Sequence, residues 1–175
     1  MTCKPAMDDS YPASAFWNFS ARPEEDEPLW VDQLAAVFAS NRPLLDSRLV
    51  QQSSDAALEV IRRDLESLGY RVESREPITF RVTPEVSFKV DAYNSAEEIV
   101  FEIEAIRAML GGAFYRDIFR LLLIGKDRRG VVAVPIHTAQ GGRPTRAFEL
   151  CRRQMAALRV QGTAVPFRSF LLLGY

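Results

Sequence analysis

Cysteine and histidine are scarce in this chain: two and one, respectively, in 175 residues. Cys3 and Cys151 offer neither a disulfide framework nor a zinc set, a usage that suits a reducing compartment. With His137 alone, Ser-His or Cys-His triads have little material to work with, and its place after an apolar run reads first as a satisfied polar group at a strand end. No apolar run reaches the roughly 18 residues a membrane helix needs. The N-terminus lacks the basic start and apolar stretch of a secretory signal. There is no P-loop and no GxGxxG, and the glycine pairs at 111–112 and 141–142 are too generic for phosphate loops, so no nucleotide cofactor is expected. These absences point to a cytoplasmic protein with no membrane partner.

What is present is enough apolar material for a core. Hydrophobic residues make up 47% of the chain, which at this length predicts one compact domain. Residues 1–28 hold four of the ten prolines and the acidic run PEEDEP, and read as a loosely ordered acidic arm; residues 29–175 read as the single domain. Net charge is −1, but residues 107–175 carry twelve Lys or Arg against three acids, a net +9, so the first 106 residues carry −10. A basic half suits a polyanionic partner such as DNA; it equally suits helix faces that are basic only for solubility.

Periodicity sets the elements. A short helix is predicted in LWVDQLAAVFAS, with Leu29, Leu34, Val37 and Phe38 near one face. A longer one covers 54–69, capped by Ser54, stopped by Gly69 and apolar at Leu58, Ile61, Leu65 and Leu68. YRVES and ITFRV read as extended pieces leading into a hairpin over 86–105. A second long helix is predicted from about Ala105 through RAMLGGAFYRDIFRLLLIG, with Tyr115 in the core. GVVAVPIH is a strand covered on both faces, 145–160 a third helix with Phe148, Cys151, Met155 and Leu158 inward, and FRSFLLLGY a closing strand. Helices separated by strands imply an α/β fold, a mixed sheet with helices on both faces.

The chemistry lies in the hairpin KVDAYNSAEEIVFEIEA. Side chains alternate along a strand, so Glu102 and Glu104 share one face while Phe101, Ile103 and Ala105 take the other. With the turn at 94–98, Asp91 falls opposite or diagonal to Glu102, at a Cβ separation of roughly 5–8 Å. Carboxylates that close repel. A Mg²⁺ ion, which prefers oxygen ligands, would relieve the repulsion. A polar face turned to water, with Lys89 pairing across the strands, explains the alternation too, and spacing alone does not choose.

Asp91, a ten-residue gap, then Glu102-Ile103-Glu104 between flanking helices resembles the PD-(D/E)XK nuclease superfamily, whose restriction-endonuclease-like core runs α-β-β-β-α-β. The blocks FKVDAY, FEIEAIRA, GGAFYRDIF, VVAVPI and the terminal LLLGY resemble an uncharacterised bacterial family of that fold with an E-x-E variant motif. The resemblance implies a Mg²⁺-dependent, or Mn²⁺-dependent, endonuclease hydrolysing phosphodiester bonds of DNA, with Asp91 and Glu102 as metal ligands. Glu104 takes the position usually filled by lysine, and Val90 stands where the motif has proline. Glu104 would then take a proton from the attacking water and share in holding the metal, or Lys89 would supply the missing positive charge. Glu59 matches a metal-site glutamate often contributed by the first helix, though it equally pairs with Arg62 or Arg63. Arg107, Arg116 and Arg120 are the candidate phosphate contacts, Arg116 having Asp117 as an alternative local partner. A homodimer is a further implication. The absent lysine keeps a second reading open: a catalytically inactive nucleic-acid-binding or regulatory module with the same fold.

Overall fold

A computed structural model describes residues 11–19, 28–47, 50, 53–74, 76–105, 112–124, 128–140, 143–160 and 167–175. Its centre is a mixed sheet built from β1 (Ala13–Asn18), β2 (Arg71–Val72), β5 (Ala92–Asn94), β6 (Ile99–Ile103), β7 (Arg129–Val134) and β10 (Ser169–Gly174), in the spatial order β1-β10-β7-β6-β5-β2. Strands β10, β7 and β6 run parallel, while β1, β5 and β2 are antiparallel to their neighbours. Two small sheets stand apart, β3 (Ile78–Arg81) with β4 (Ser87–Val90) and β8 (Thr138–Gln140) with β9 (Arg143–Thr145).

Four described helices cover the large sheet: α1 (Leu29–Leu45), α2 (Ser54–Ser67), α3 (Ala113–Ile124) and α4 (Ala147–Val160). One face packs Phe101, Ile103, Val131, Ala133, Leu171 and Leu173 against α1 and α2. The other packs Val100, Val132, Val134, Phe170 and Leu172 against α3 and α4. Burial on both faces is why β7 and β10 read as unbroken apolar runs rather than alternating ones. The close stacking admits no extra atoms at Gly174, where a Cβ would lie 2.8 Å from Phe148 Cδ2 and 2.9 Å from Ile136 Cγ1.

Local signals explain the element ends. Ser53, one residue ahead of the expected cap, holds the start of α2 by accepting from the Ala56 N–H at 3.3 Å. Gly69 stops the helix at φ +84°, a conformation glycine adopts without a Cβ clash. Asn94 builds the β5–β6 turn, its Oδ1 accepting from the N–H groups of Ala96 and Glu97 at 3.0 and 3.1 Å, while its Nδ2 donates to the Leu68 carbonyl at 3.0 Å. That bond ties the turn to the end of α2.

Several expectations are corrected. Residues 13–18 of the expected loose arm form β1, which pairs along the whole of β10; the apolar edge of β10 needs a backbone partner, and Trp17 becomes buried by supplying it. Helix α1 is longer than expected, and Leu29 is exposed at its first residue. The hairpin over 86–105 is split at Asp91: residues 87–90 pair with β3, and only 92–94 pair with β6. Helix α3 is described from Ala113, the expected helical stretch over 106–111 lying outside the described residues, and Tyr115 is exposed, with Phe119 and Leu123 one and two turns on. Its inward stripe is instead Phe114, Ile118 and Leu121. No helix among the described residues is long and apolar enough to cross a membrane.

Candidate acidic site

Strand β6 is buried at every position, Glu102 included. Its ladder places Ala92 opposite Phe101, so the next positions outward are Asp91 and Glu102, the juxtaposition the spacing predicts. Asp91 interrupts the strand to do two things at once. Its Oδ2 accepts from the Ile103 N–H at 2.7 Å, and its carbonyl accepts from the Glu73 N–H at 2.7 Å. Beyond the ladder, Glu104 is held by its backbone: its N–H donates to the Ala133 carbonyl at 2.8 Å and its carbonyl accepts from the Tyr175 hydroxyl at 2.7 Å.

Helix α3 contributes two more charged groups, one turn apart on its inner side. Asp117 is fully buried. Arg120 donates from one guanidinium nitrogen to Glu102 Oε1 at 3.0 Å and, at a long 3.5 Å, to the Lys89 carbonyl. Its other nitrogen lies 3.7 Å from Asp117 Oδ1, an ion-pair distance too long for a good hydrogen bond. Neither Asp117 oxygen has a donor among the described residues. Three carboxyls, Asp91, Glu102 and Asp117, thus share the field of one inward guanidinium, and Glu104 adjoins Asp117, with Arg116, exposed on the same helix, adding only its field.

Desolvation dominates the electrostatics. Burial raises Asp91 to about 6, partly offset by the Ile103 N–H. Burial, then the charge of Asp91, lifts Glu102 well above the carboxylate range despite Arg120. Glu104 reaches about 8, through burial and then its contact with Asp117, whose own value burial also raises. The Glu104–Asp117 contact is stable only when one of the two holds a proton, and a protonated Glu104 gives Asp117 the donor it lacks. Helix α4 lies on this side of the cluster: burial pushes the Cys151 thiol up to about 12, and the charges of Asp117 and Glu104 add to the rise. That thiol is inert.

The other expected residues lie apart. Glu59 is exposed on α2 and paired with Arg62 at 2.6 Å, and it is not among the charges that act on any of the four acids. Lys89 is exposed on the outer face of β4 and likewise absent from those charges, because the break at Asp91 ends the alternation that would have put the two on one face. Arg120 points inward to Glu102 rather than outward to a phosphate. Arg107 lies outside the described residues, and His137 is exposed. Asp117 was not anticipated as a site residue; the available signal was a charged pair three apart on a helix otherwise apolar on its inner side.

The donors suit a hard divalent cation. Mg²⁺ is commonly held by one or two carboxylates with the rest of its shell water or phosphate, and Asp91 with Glu102 are the adjacent pair that could hold one on giving up their protons. Among the described residues no group of three acids is arranged to hold a metal, the expected set of Asp91, Glu102 and Glu104 included. Fold and site together define a mixed α/β domain with a buried acidic cluster between its central sheet and α3. No family model, curated protein or solved structure matches the chain.

Proposed function

We propose that the chain is a metal-dependent phosphodiesterase of the PD-(D/E)XK type, acting on DNA. The observation that carries this is the adjacency of Asp91 and Glu102 where the β5–β6 ladder ends, both raised in proton affinity chiefly by burial. The chain order supports it too: a helix, the antiparallel run β2-β5-β6, helix α3 and the parallel strand β7 follow the α-β-β-β-α-β order of that superfamily, with the β3–β4 hairpin inserted between β2 and β5.

In this reading Asp91 and Glu102 hold Mg²⁺ or Mn²⁺, which would supply charge relief at the phosphate and a more acidic water. Glu104, raised to about 8, takes a proton from the attacking water in its ionised form, whose share grows as pH rises toward that value. Asp117 accepts the hydrogen bond that orients the protonated Glu104, and Tyr175 fixes the Glu104 backbone. Arg120 restrains Glu102 until the site is loaded, and Arg116 remains free to meet a phosphate.

The test is plasmid cleavage in Mg²⁺ or Mn²⁺ by the wild type and by the Asp91→Ala/Glu102→Ala variant. Cleavage by the wild type alone supports the reading; cleavage by both, or by neither, removes it. A second reading, a catalytically silent nucleic-acid-binding module, is favoured by one specific observation: the Glu102 carboxylate is already engaged by Arg120. Binding of DNA without cutting would select it.

A further inference from the structure

The β3–β4 hairpin stands outside the large sheet, and its two faces differ sharply. Ile78 and Val90 are buried, and Phe80 and Phe88 pack with them against the α3–α4 side of the core. The outer face carries Thr79 opposite Lys89 and Arg81 opposite Ser87, all four exposed. It thus has two cations, two hydroxyls and no acid. Among the described residues neither Arg81 nor Lys89 has an ion-pair partner. The one acid between residues 78 and 90, Glu85, sits in the connecting turn and accepts from the Thr83 hydroxyl at 3.3 Å.

The face also has a direction. The Lys89 carbonyl meets the same Arg120 nitrogen that binds Glu102, so the ladder starts beside the acidic cluster and runs away from it. Successive pairs are two residues apart, roughly 7 Å along the strand, close to the separation of adjacent phosphates in a nucleic-acid strand. Each step presents one cation for charge and one hydroxyl for a hydrogen bond to a phosphate oxygen.

We infer that the outer face of this hairpin, through Thr79, Arg81, Ser87 and Lys89, is a track for the sugar–phosphate backbone of a nucleic acid leading into the acidic cluster. The inference rests on the phosphodiesterase reading for its destination, but its contacts are tested separately. The experiment measures fluorescence anisotropy of a short labelled DNA duplex with the full chain, in chelator, across a salt series. Wild type is compared with Arg81→Gln/Lys89→Gln, with the charge-preserving Arg81→Lys/Lys89→Arg and with Arg153→Gln, an exposed α4 residue held by Glu149. Loss of two phosphate contacts lowers the log–log salt slope of the Gln double variant by about 2, while the other two variants keep the wild-type slope. An unchanged slope in the Gln variant, an equal fall in Arg153→Gln, or no binding by the wild type overturns the track. So does equal displacement by a poly-glutamate peptide of matched charge, which would mark an acidic protein as the partner. A hairpin-dependent slope without cleavage leaves the track standing and removes hydrolysis; cleavage with an unchanged slope removes the track alone.

Discussion

Replacing Glu104 with glutamine tests the electrostatics of the cluster in a way that needs no substrate. Glutamine keeps the shape, cannot ionise, and offers an N–H donor to Asp117. For the wild type, a carboxyl raised from 4.5 to about 8 on folding binds more protons folded than unfolded across that interval. Its contribution to stability is therefore complete below 4.5 and is lost as pH rises through 8. At about 1.4 kcal/mol per unit the loss reaches about 5 kcal/mol, and the partial solvent contact of Glu104 screens roughly half, leaving about 2–3 kcal/mol. Glu104→Gln is spared this loss. It should unfold at nearly the wild-type urea concentration at pH 5 and be more stable by about 2–3 kcal/mol at pH 9, or by about 5–10 °C in Tm for a chain of this size. Unfolding at pH 5, 7 and 9 in chelator measures it. A gain equal at all three values, or a loss at pH 9, would refute the claim that Glu104 is a half-buried acid facing another.

Other consequences follow from the same geometry. Arg120→Met removes the cation from Glu102 and should cost about 3 kcal/mol, with most of that recovered in the Arg120→Met/Glu102→Gln double variant; thermal melts of the four-member cycle read the coupling. Gly174→Ala forces a methyl against Phe148 and Ile136 and should cost about 1–3 kcal/mol by denaturant unfolding. If Glu104 takes the proton from water, the rate of DNA cleavage at saturating metal rises with pH and levels off above the Glu104 value, and Glu104→Gln flattens that profile while lowering the rate.

Much of this arrangement is legible in the sequence because it depends on period-two alternation. Phe101 and Ile103 against Glu102 and Glu104, the unbroken run at 130–134 and the glycine stop after α2 all follow from single-strand or single-helix rules. The split at Asp91 does not, since it depends on which neighbour each half of the segment finds: β4 packs with β3 through Phe80 and Phe88, and β5 joins the large sheet. Lys89 leaves the candidate site for that reason. β1 is hidden because its pairing partners lie 151 to 161 positions away, from Asn18 against Ser169 to Ala13 against Gly174; the proline content around it suggests a loose arm. Asp117 and Arg120 could be seen as an i, i+3 pair, but their inward orientation is fixed only by α3 packing Phe114, Ile118 and Leu121 onto the sheet.

The central claim is that Asp91 and Glu102 together accept a divalent cation. Calorimetric titration of Mn²⁺ into the full chain, beside Asp91→Asn and Arg153→Gln, tests it most directly. The account predicts saturable binding in the wild type and Arg153→Gln and its loss in Asp91→Asn. Equal heats in all three, or none in the wild type, would contradict it.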